Sequence, residues 1–310
     1  MNPYYRWSME EYEPMLQAIC KEAHCWETAA FSGPEDLSTV LQSSIRDQLA
    51  HLRKLTIEIS YSDRNDPVEI FKDAPVLYTI SFNRDLWMHP VTFSLPWAQL
   101  RRYGGCSEWD KHLSALYRSP GLVDCCLQID DIGPPSSIVQ DPVALPNLRR
   151  LSISNPHFLK YLQTPALEEL YCDYDVLPGP LFPPPGELQI AEVVTRLALF
   201  FPLPTELVCD FYSQSSTMAP ALEHLSCFLK VDSEVGHEIQ DEFVKAIESQ
   251  WTRGSLKSVK IYGENLQIVS DRLDLLRTQG MECAVFGGEP FPSPKDLDDI
   301  PPELQILSVQ

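Results

Sequence analysis

A short phrase, apolar-x-x-apolar-x-apolar, returns along this chain, and it limits the possible folds more than any other feature. It reads Leu52-x-x-Leu55-x-Ile57, Leu77-x-x-Ile80-x-Phe82, Leu122-x-x-Cys125-x-Leu127, Leu148-x-x-Leu151-x-Ile153 and Leu167-x-x-Leu170-x-Cys172. It continues as Val194-x-x-Leu197-x-Leu199, Leu222-x-x-Leu225-x-Cys227 and Leu256-x-x-Val259-x-Ile261. Weaker copies are Trp26-x-x-Ala29-x-Phe31 and Leu100-x-x-Tyr103, which lacks its last member. The first positions, 26, 52, 77, 100, 122, 148, 167, 194, 222 and 256, are separated by 26, 25, 23, 22, 26, 19, 27, 28 and 34 residues. A chain with this self-similarity reuses one structural unit.

The end of each phrase alternates with period two, so one set of side chains points inward and the other outward, as in a short strand. Helical spacing precedes several phrases: Leu113, Leu116 and Tyr117 before Pro120; Phe158, Leu159 and Leu162 before Pro165; Phe243, Ile247 and Trp251 before Gly254. Ala74-Pro75, Ser119-Pro120, Leu145-Pro146, Thr164-Pro165 and Ala219-Pro220 stand just ahead of the leading apolar residue, where proline ends the helix and turns the chain back. One such unit cannot bury its apolar face alone, whereas stacked units share a core. Most spacings fall in the range of roughly 20–29 residues of a leucine-rich repeat. The expected fold is therefore an α/β leucine-rich-repeat solenoid, an irregular horseshoe of about ten strand units, with a parallel sheet on the concave face and helices on the convex face. The asparagine that usually closes such a repeat is missing, which points to irregular curvature. A conventional α/β sheet shares the local pattern but calls for longer, wholly apolar strands and less regular connections.

Three regions follow: a capping helix over 1–24, the repeats over 25–286, and a Pro- and acid-rich tail over 287–310. In the first, Tyr12, Met15, Leu16, Ile19, Cys20 and Ala23 make a helical stripe suited to covering the first strand. Near the other end, Leu266, Val269, Leu273 and Leu276 have helical spacing, Gly280 stops that helix, and Met281 to Phe286 add a last strand. Leu177 to Gly186 (LPGPLFPPPG) reads as a surface insertion. The net charge of −20 disfavours nucleic acid and acidic membranes and favours basic protein partners. With nine cysteines and no CxxC, neither a disulfide scaffold nor a zinc ribbon is indicated, and a reducing compartment, cytoplasm or nucleus, is expected. No signal-like stretch opens the chain, and the apolar region near Val193 to Cys209 is broken by Arg196, Pro202, Pro204 and Glu206.

Taken together, LPWAQL (Leu95 to Leu100), SPGLVDCCL (Ser119 to Leu127), LPNLRRLSI (Leu145 to Ile153), TPALEELYCD (Thr164 to Asp173) and APALEHLSC (Ala219 to Cys227) resemble the leucine-rich-repeat portion of fungal F-box proteins, over approximately Glu10 to Phe286. In that family an F-box docks on a Skp adaptor of a cullin ubiquitin ligase and the repeats hold the substrate, so the resemblance implies a substrate receptor. Only Met1 to Met9 precedes the capping helix, and no F-box is expected there. Two phrases open like one, Leu203-Pro204-Thr205-Glu206-Leu207 and Ile300-Pro301-Pro302-Glu303-Leu304, and read better as a repeat helix and a tail. A Skp adaptor and cullin enter as partners only where an F-box is supplied or has been missed. The alternative is a truncated relative that binds protein without recruiting a ligase.

GxGxxG, GxxxxGK[ST] and GxSxG are all absent, and His237-Glu238 lacks the second histidine of HExxH because Asp241 stands in its place. Cys20, His24 and Cys25 gather two or three soft ligands at a helix end, short of the four of a structural zinc site. No catalytic residue, metal or cofactor is assigned. An unfamiliar enzyme site would centre on His224, Asp173 and Glu169. The binding candidates are instead the outward positions of the strands. Tyr171, Phe200, Phe228 and Tyr262 are expected to form an aromatic strip flanked by Asp173, Glu169, Arg196 and Lys260, since exposed aromatics on a rigid surface dominate interface energetics. The expected ligand is a protein substrate, a basic one being favoured by the acidic charge, held without bond chemistry.

Overall fold

The computed structural model describes residues 9–33, 36–45, 48–59, 68–82, 93–129, 141–173, 194–202, 221–229, 236–263 and 266–287. The insertion at Leu177 to Gly186, the phrases beginning at Leu203 and Ile300, and the tail from residue 288 onward lie outside the described residues. The fold is mixed α/β, with a large parallel sheet of eleven strands in chain order and few helices. Two compact units divide the chain, residues 1–138 and 139–309.

The first unit runs α1 (Met9–Cys20), β1 (Thr28–Gly33), α2 (Asp36–Ser44), β2 (Lys54–Ile59), β3 (Thr79–Phe82), β4 (Arg102–Ser107), α3 (Trp109–Arg118) and β5 (Asp124–Ile129). Each strand pairs in parallel with the next. The second unit runs β6 (Val143–Ala144), β7 (Arg150–Ile153), β8 (Leu162–Gln163), β9 (Glu169–Asp173), β10 (Arg196–Pro202), β11 (His224–Leu229), α4 (Gly236–Thr252), β12 (Ser258–Gly263), α5 (Gln267–Thr278) and β13 (Glu282–Gly287). Its main strands pair in parallel in the order β7-β9-β10-β11-β12-β13, and β6 and β8 form a separate parallel pair.

Within each unit the paired copies of the phrase meet in phase. Leu55, Ile80, Tyr103 and Cys125 stand in one row of the first unit, and Leu151, Leu170, Leu197, Leu225, Val259 and Cys283 in one row of the second. From Leu52 to Ile261 the apolar members are all buried, none more than 6 % exposed. A one-residue slip would turn each strand's apolar set to the opposite face, so burial itself fixes this register. The weak first copy follows the same register, Ala29 against Leu55 and Phe31 against Ile57, but its residues are only half-buried because β1 ends the strand order.

Within each unit, recurring backbone contacts join successive repeats. Leu77, Leu122, Leu148 and Leu167 donate their N–H groups to the carbonyls of Ala74, Ser119, Leu145 and Thr164, each closing a turn with proline at its second position. One residue further on, a carbonyl accepts from two successive N–H groups of the next repeat. Arg149 O takes Glu168 N at 2.8 Å and Glu169 N at 2.9 Å, and Glu223 O takes Lys257 N at 2.7 Å and Ser258 N at 3.0 Å. Glu27, Arg53, Tyr78, Arg101, Glu168 and Thr195 repeat this arrangement. Gln99 adds a side-chain tie, its Nε2 donating to Ala74 O at 2.8 Å and Leu77 O at 3.0 Å.

The connections are less uniform than their spacing suggests. Leu113 and Leu116 of α3 are buried, whereas Tyr117 is exposed. The Phe158 segment is a single 3₁₀ stretch, Pro156–Tyr161, and Leu162 belongs to β8. Six residues bracketed by Asn155, whose Oδ1 accepts from His157 N at 3.1 Å, and by a strand leave no room for a longer α-helix. In α1 the stripe is only partly covered: Cys20 is buried and Ala23 follows it inward, but Met15 and Ile19 are exposed. The Tyr12 side chain lies outside the described set. Leu266, Val269, Leu273 and Leu276 are all buried, as their spacing predicts. Gly280 ends α5 at φ 99°, with its N–H bonded to Arg277 O and Met281 N–H to Leu276 O, the paired closure that requires a left-handed residue.

Candidate functional site

By backbone register, all eight sequence-predicted binding residues occupy strand positions of the second unit that alternate with the core rows. These residues fall into two groups rather than one strip. The first spans β9 and β10. Glu169 stands opposite Arg196, and Tyr171 stands between Ser152 and Ala198. The Tyr171 ring is 1 % exposed instead of open to solvent. Its hydroxyl donates to Glu169 Oε2 at 3.0 Å and also meets Arg196. Burial, then the Glu169 charge, pushes the phenol well above the ordinary tyrosine range, with Arg196 acting against both. Glu169, Tyr171 and Arg196 are thus one polar cluster, and Tyr171 presents no open aromatic face. Asp173 stands opposite Phe200 by backbone register.

The second group spans β11 to β13. Phe228, Tyr262 and Phe286 stand opposite one another along a single row. Tyr262 and Phe286 stack with ring centroids 4.8 Å apart and planes 11° from parallel. Tyr262 is buried at 9 % exposure, and Phe286 caps it at 48 %. Phe200 does not extend this row. The register slips between Leu199 and Pro202, so Pro202 stands opposite Phe228. Proline has no N–H for the ladder, which is why such a slip sits there. Lys260 is half-buried one row away, between Ser226 and Ala284. Phe286 was missed among the binding candidates because Gly280 occupies the leading apolar position of its unit; extending the alternation through Met281 to Phe286 would have found it.

Of the possible enzyme site, Glu169 and His224 stand on strands that are not neighbours. Arg196 stands between Glu169 and His224 in the strand row, which separates the two by two strand spacings, about 9.6 Å. His224 has another neighbour: Ser258 Oγ lies 2.7 Å from its Nδ1, across from β12. Glu223 Oε2 is 3.8 Å from His224 Nε2, beyond hydrogen-bond reach, and the same carboxylate is engaged by Lys257 at 2.7 Å, which lowers its pKa. The group is a hydrogen-bonded rung with Ser258 only 9 % exposed. In α4, Asp241, the residue that interrupts the HExxH pattern, bonds Lys245 at 2.7 Å and Arg272 of α5; Arg272 also forks onto Glu248 at 2.7 and 2.6 Å. Cys125, Cys172 and Cys227 are buried in the core rows. Among the described residues no helix is long and apolar enough to cross a membrane.

No family model, curated protein or solved structure matches this chain.

Proposed function

We propose that this chain is a leucine-rich-repeat protein that binds another protein through the face of its sheet and performs no bond chemistry itself. The observation that carries this proposal is the row Phe228, Tyr262 and Phe286, whose outer ring is half-exposed on a rigid strand scaffold. An aromatic held in place by a stacked partner loses little side-chain freedom on binding, and such residues anchor interfaces. The acidic charge of −20 would draw basic partners in a salt-sensitive way, while contact with the aromatic row would survive high salt. The likeness of its repeat phrases to fungal F-box proteins supports a more particular role, that of the substrate-recognition part of an F-box-type ubiquitin ligase in the cytoplasm or nucleus. A truncated relative that binds without recruiting a ligase is the competing role.

The test is affinity capture with the tagged full chain and with Phe286→Ser, washed at low and high salt. A partner retained by the wild type at high salt and bound about tenfold more weakly by Phe286→Ser, with an unchanged thermal midpoint, supports the aromatic contact. Equal retention by both removes it. Recovery of a Skp adaptor supports ligase membership, and its reproducible absence favours the truncated form.

A further inference from the structure

The turn after α1 brings together three side chains of different donor chemistry. Glu22, His24 and Cys25 are all exposed, and a carboxylate oxygen, an imidazole nitrogen and a thiol sulfur lie within 4.8 Å of one another. Two of the three had been singled out with Cys20, but Cys20 is 1 % exposed and is not among the converging donors; Glu22 takes its place. Buried Cys20 and Ala23 anchor the turn from beneath, and the N–H groups of Cys25 and Trp26 close it on Glu22 O at 2.9 Å and Ala23 O at 3.1 Å. The imidazole is oriented as well. His24 Nδ1 lies 3.3 Å from Lys21 O, and since a carbonyl only accepts, Nδ1 carries the proton and Nε2 keeps its lone pair. A backbone carbonyl holding one ring nitrogen while the other ligates is the usual support of a metal-bound histidine.

We propose that Glu22, His24 and Cys25 form a three-ligand site for a zinc-like divalent cation, with water completing the coordination. Thiolate and imidazole together select borderline-soft metals over calcium or magnesium, which take oxygen ligands. Tetrahedral zinc at its usual bond lengths spaces its donors roughly 3.3–3.8 Å apart, so these side chains must close by about 1 Å, which exposed rotamers allow. Three protein ligands leave the fourth position open, unlike a closed structural zinc site. The site is separate from the aromatic row and does not depend on what that row binds.

Cobalt(II) is the probe, because thiolate ligation gives it a charge-transfer absorption that carboxylates and imidazoles cannot produce. The full chain, reduced and stripped of metal, is titrated with cobalt and then with zinc, alongside Cys25→Ser and His24→Ala. Saturation at one equivalent, a thiolate band lost in Cys25→Ser, at least tenfold weaker binding in His24→Ala and displacement of cobalt by zinc are the expected results. The absence of a thiolate band in the wild type overturns the site, as does a band that persists undiminished in Cys25→Ser. All three residues are exposed, so the variants keep their fold, and an unchanged thermal midpoint without metal verifies this.

Discussion

Truncating Leu197 on β10 tests the register logic directly. Leu197 is fully buried in the core row, between Leu170 and Leu225, while Ser226 occupies an outward position on the adjacent strand. Leu197→Ala removes three carbons, worth roughly 0.8 kcal/mol each or about 2.4 kcal/mol together. The neighbouring rows are held by backbone bonds on both sides and cannot collapse fully into the gap, so the cavity raises the cost to about 3–5 kcal/mol. For a unit the size of residues 139–309, that lowers the thermal midpoint by roughly 6–20 °C. Ser226→Ala deletes one hydroxyl on the opposite face and stays within about 0.5 kcal/mol. Circular dichroism melts give the two midpoints, and hydrogen exchange over β9 to β11 locates the loss. Equal midpoints for the two variants would refute the assignment of inward and outward rows.

The buried pair Tyr103 and His112 offers a second test. The tyrosine hydroxyl lies 3.0 Å from His112 Nδ1, and His112 Nε2 donates to Gln128 O at 3.0 Å, so the phenol must donate to Nδ1. Tyr103→Phe removes that donor at constant ring packing and costs about 1–3 kcal/mol by urea denaturation; a cost near zero would show the bond to be unimportant. Alkaline pH gives a third prediction. Burial raises the pKa of Tyr103, Cys125 and Cys227, so the folded state keeps them neutral while the unfolded chain ionises from about pH 8.5 for thiols and about pH 10 for tyrosine. Their stabilisation is complete below those values and is lost as pH rises toward the folded-state values, so the thermal midpoint falls steadily between about pH 8.5 and 11. A midpoint flat across that window would contradict it. Finally, Gly280→Ala is expected to cost about 1–2 kcal/mol from its φ of 99° alone, because an added Cβ meets nothing within 4 Å. Gly287→Ala, equally open and without a positive φ, serves as the near-neutral control.

The strand rows could be read from the sequence because their cause is local and periodic. Leu52 to Ile261 repeat one alternation, and a chain that must bury the same three positions in each unit has one register available. The α5 stop could be read for a similar reason: a helical stripe followed by Gly280 and Met281 carries its own closure. Tyr117, Met15 and Ile19 fit helical spacing yet end exposed, since spacing marks a helical face and only the packed neighbours decide how wide that face is. The binding face was legible only in outline. Which outward residues share a row depends on strand partners far apart in sequence, and a single proline at position 202 was enough to take Phe200 out of line with Phe228.

By itself, the sequence determined the recurring strand, the inward and outward parity of its residues, the proline turns and the termination of the last helix, because each depends on interactions within about one unit of chain. The tertiary structure alone decided that Tyr171 is buried, that Tyr262 stacks on Phe286, and that Glu22 replaces Cys20 beside His24 and Cys25. Such contacts depend on ångström-scale placement of side chains across strands or around a turn, and a linear pattern carries no information on that scale.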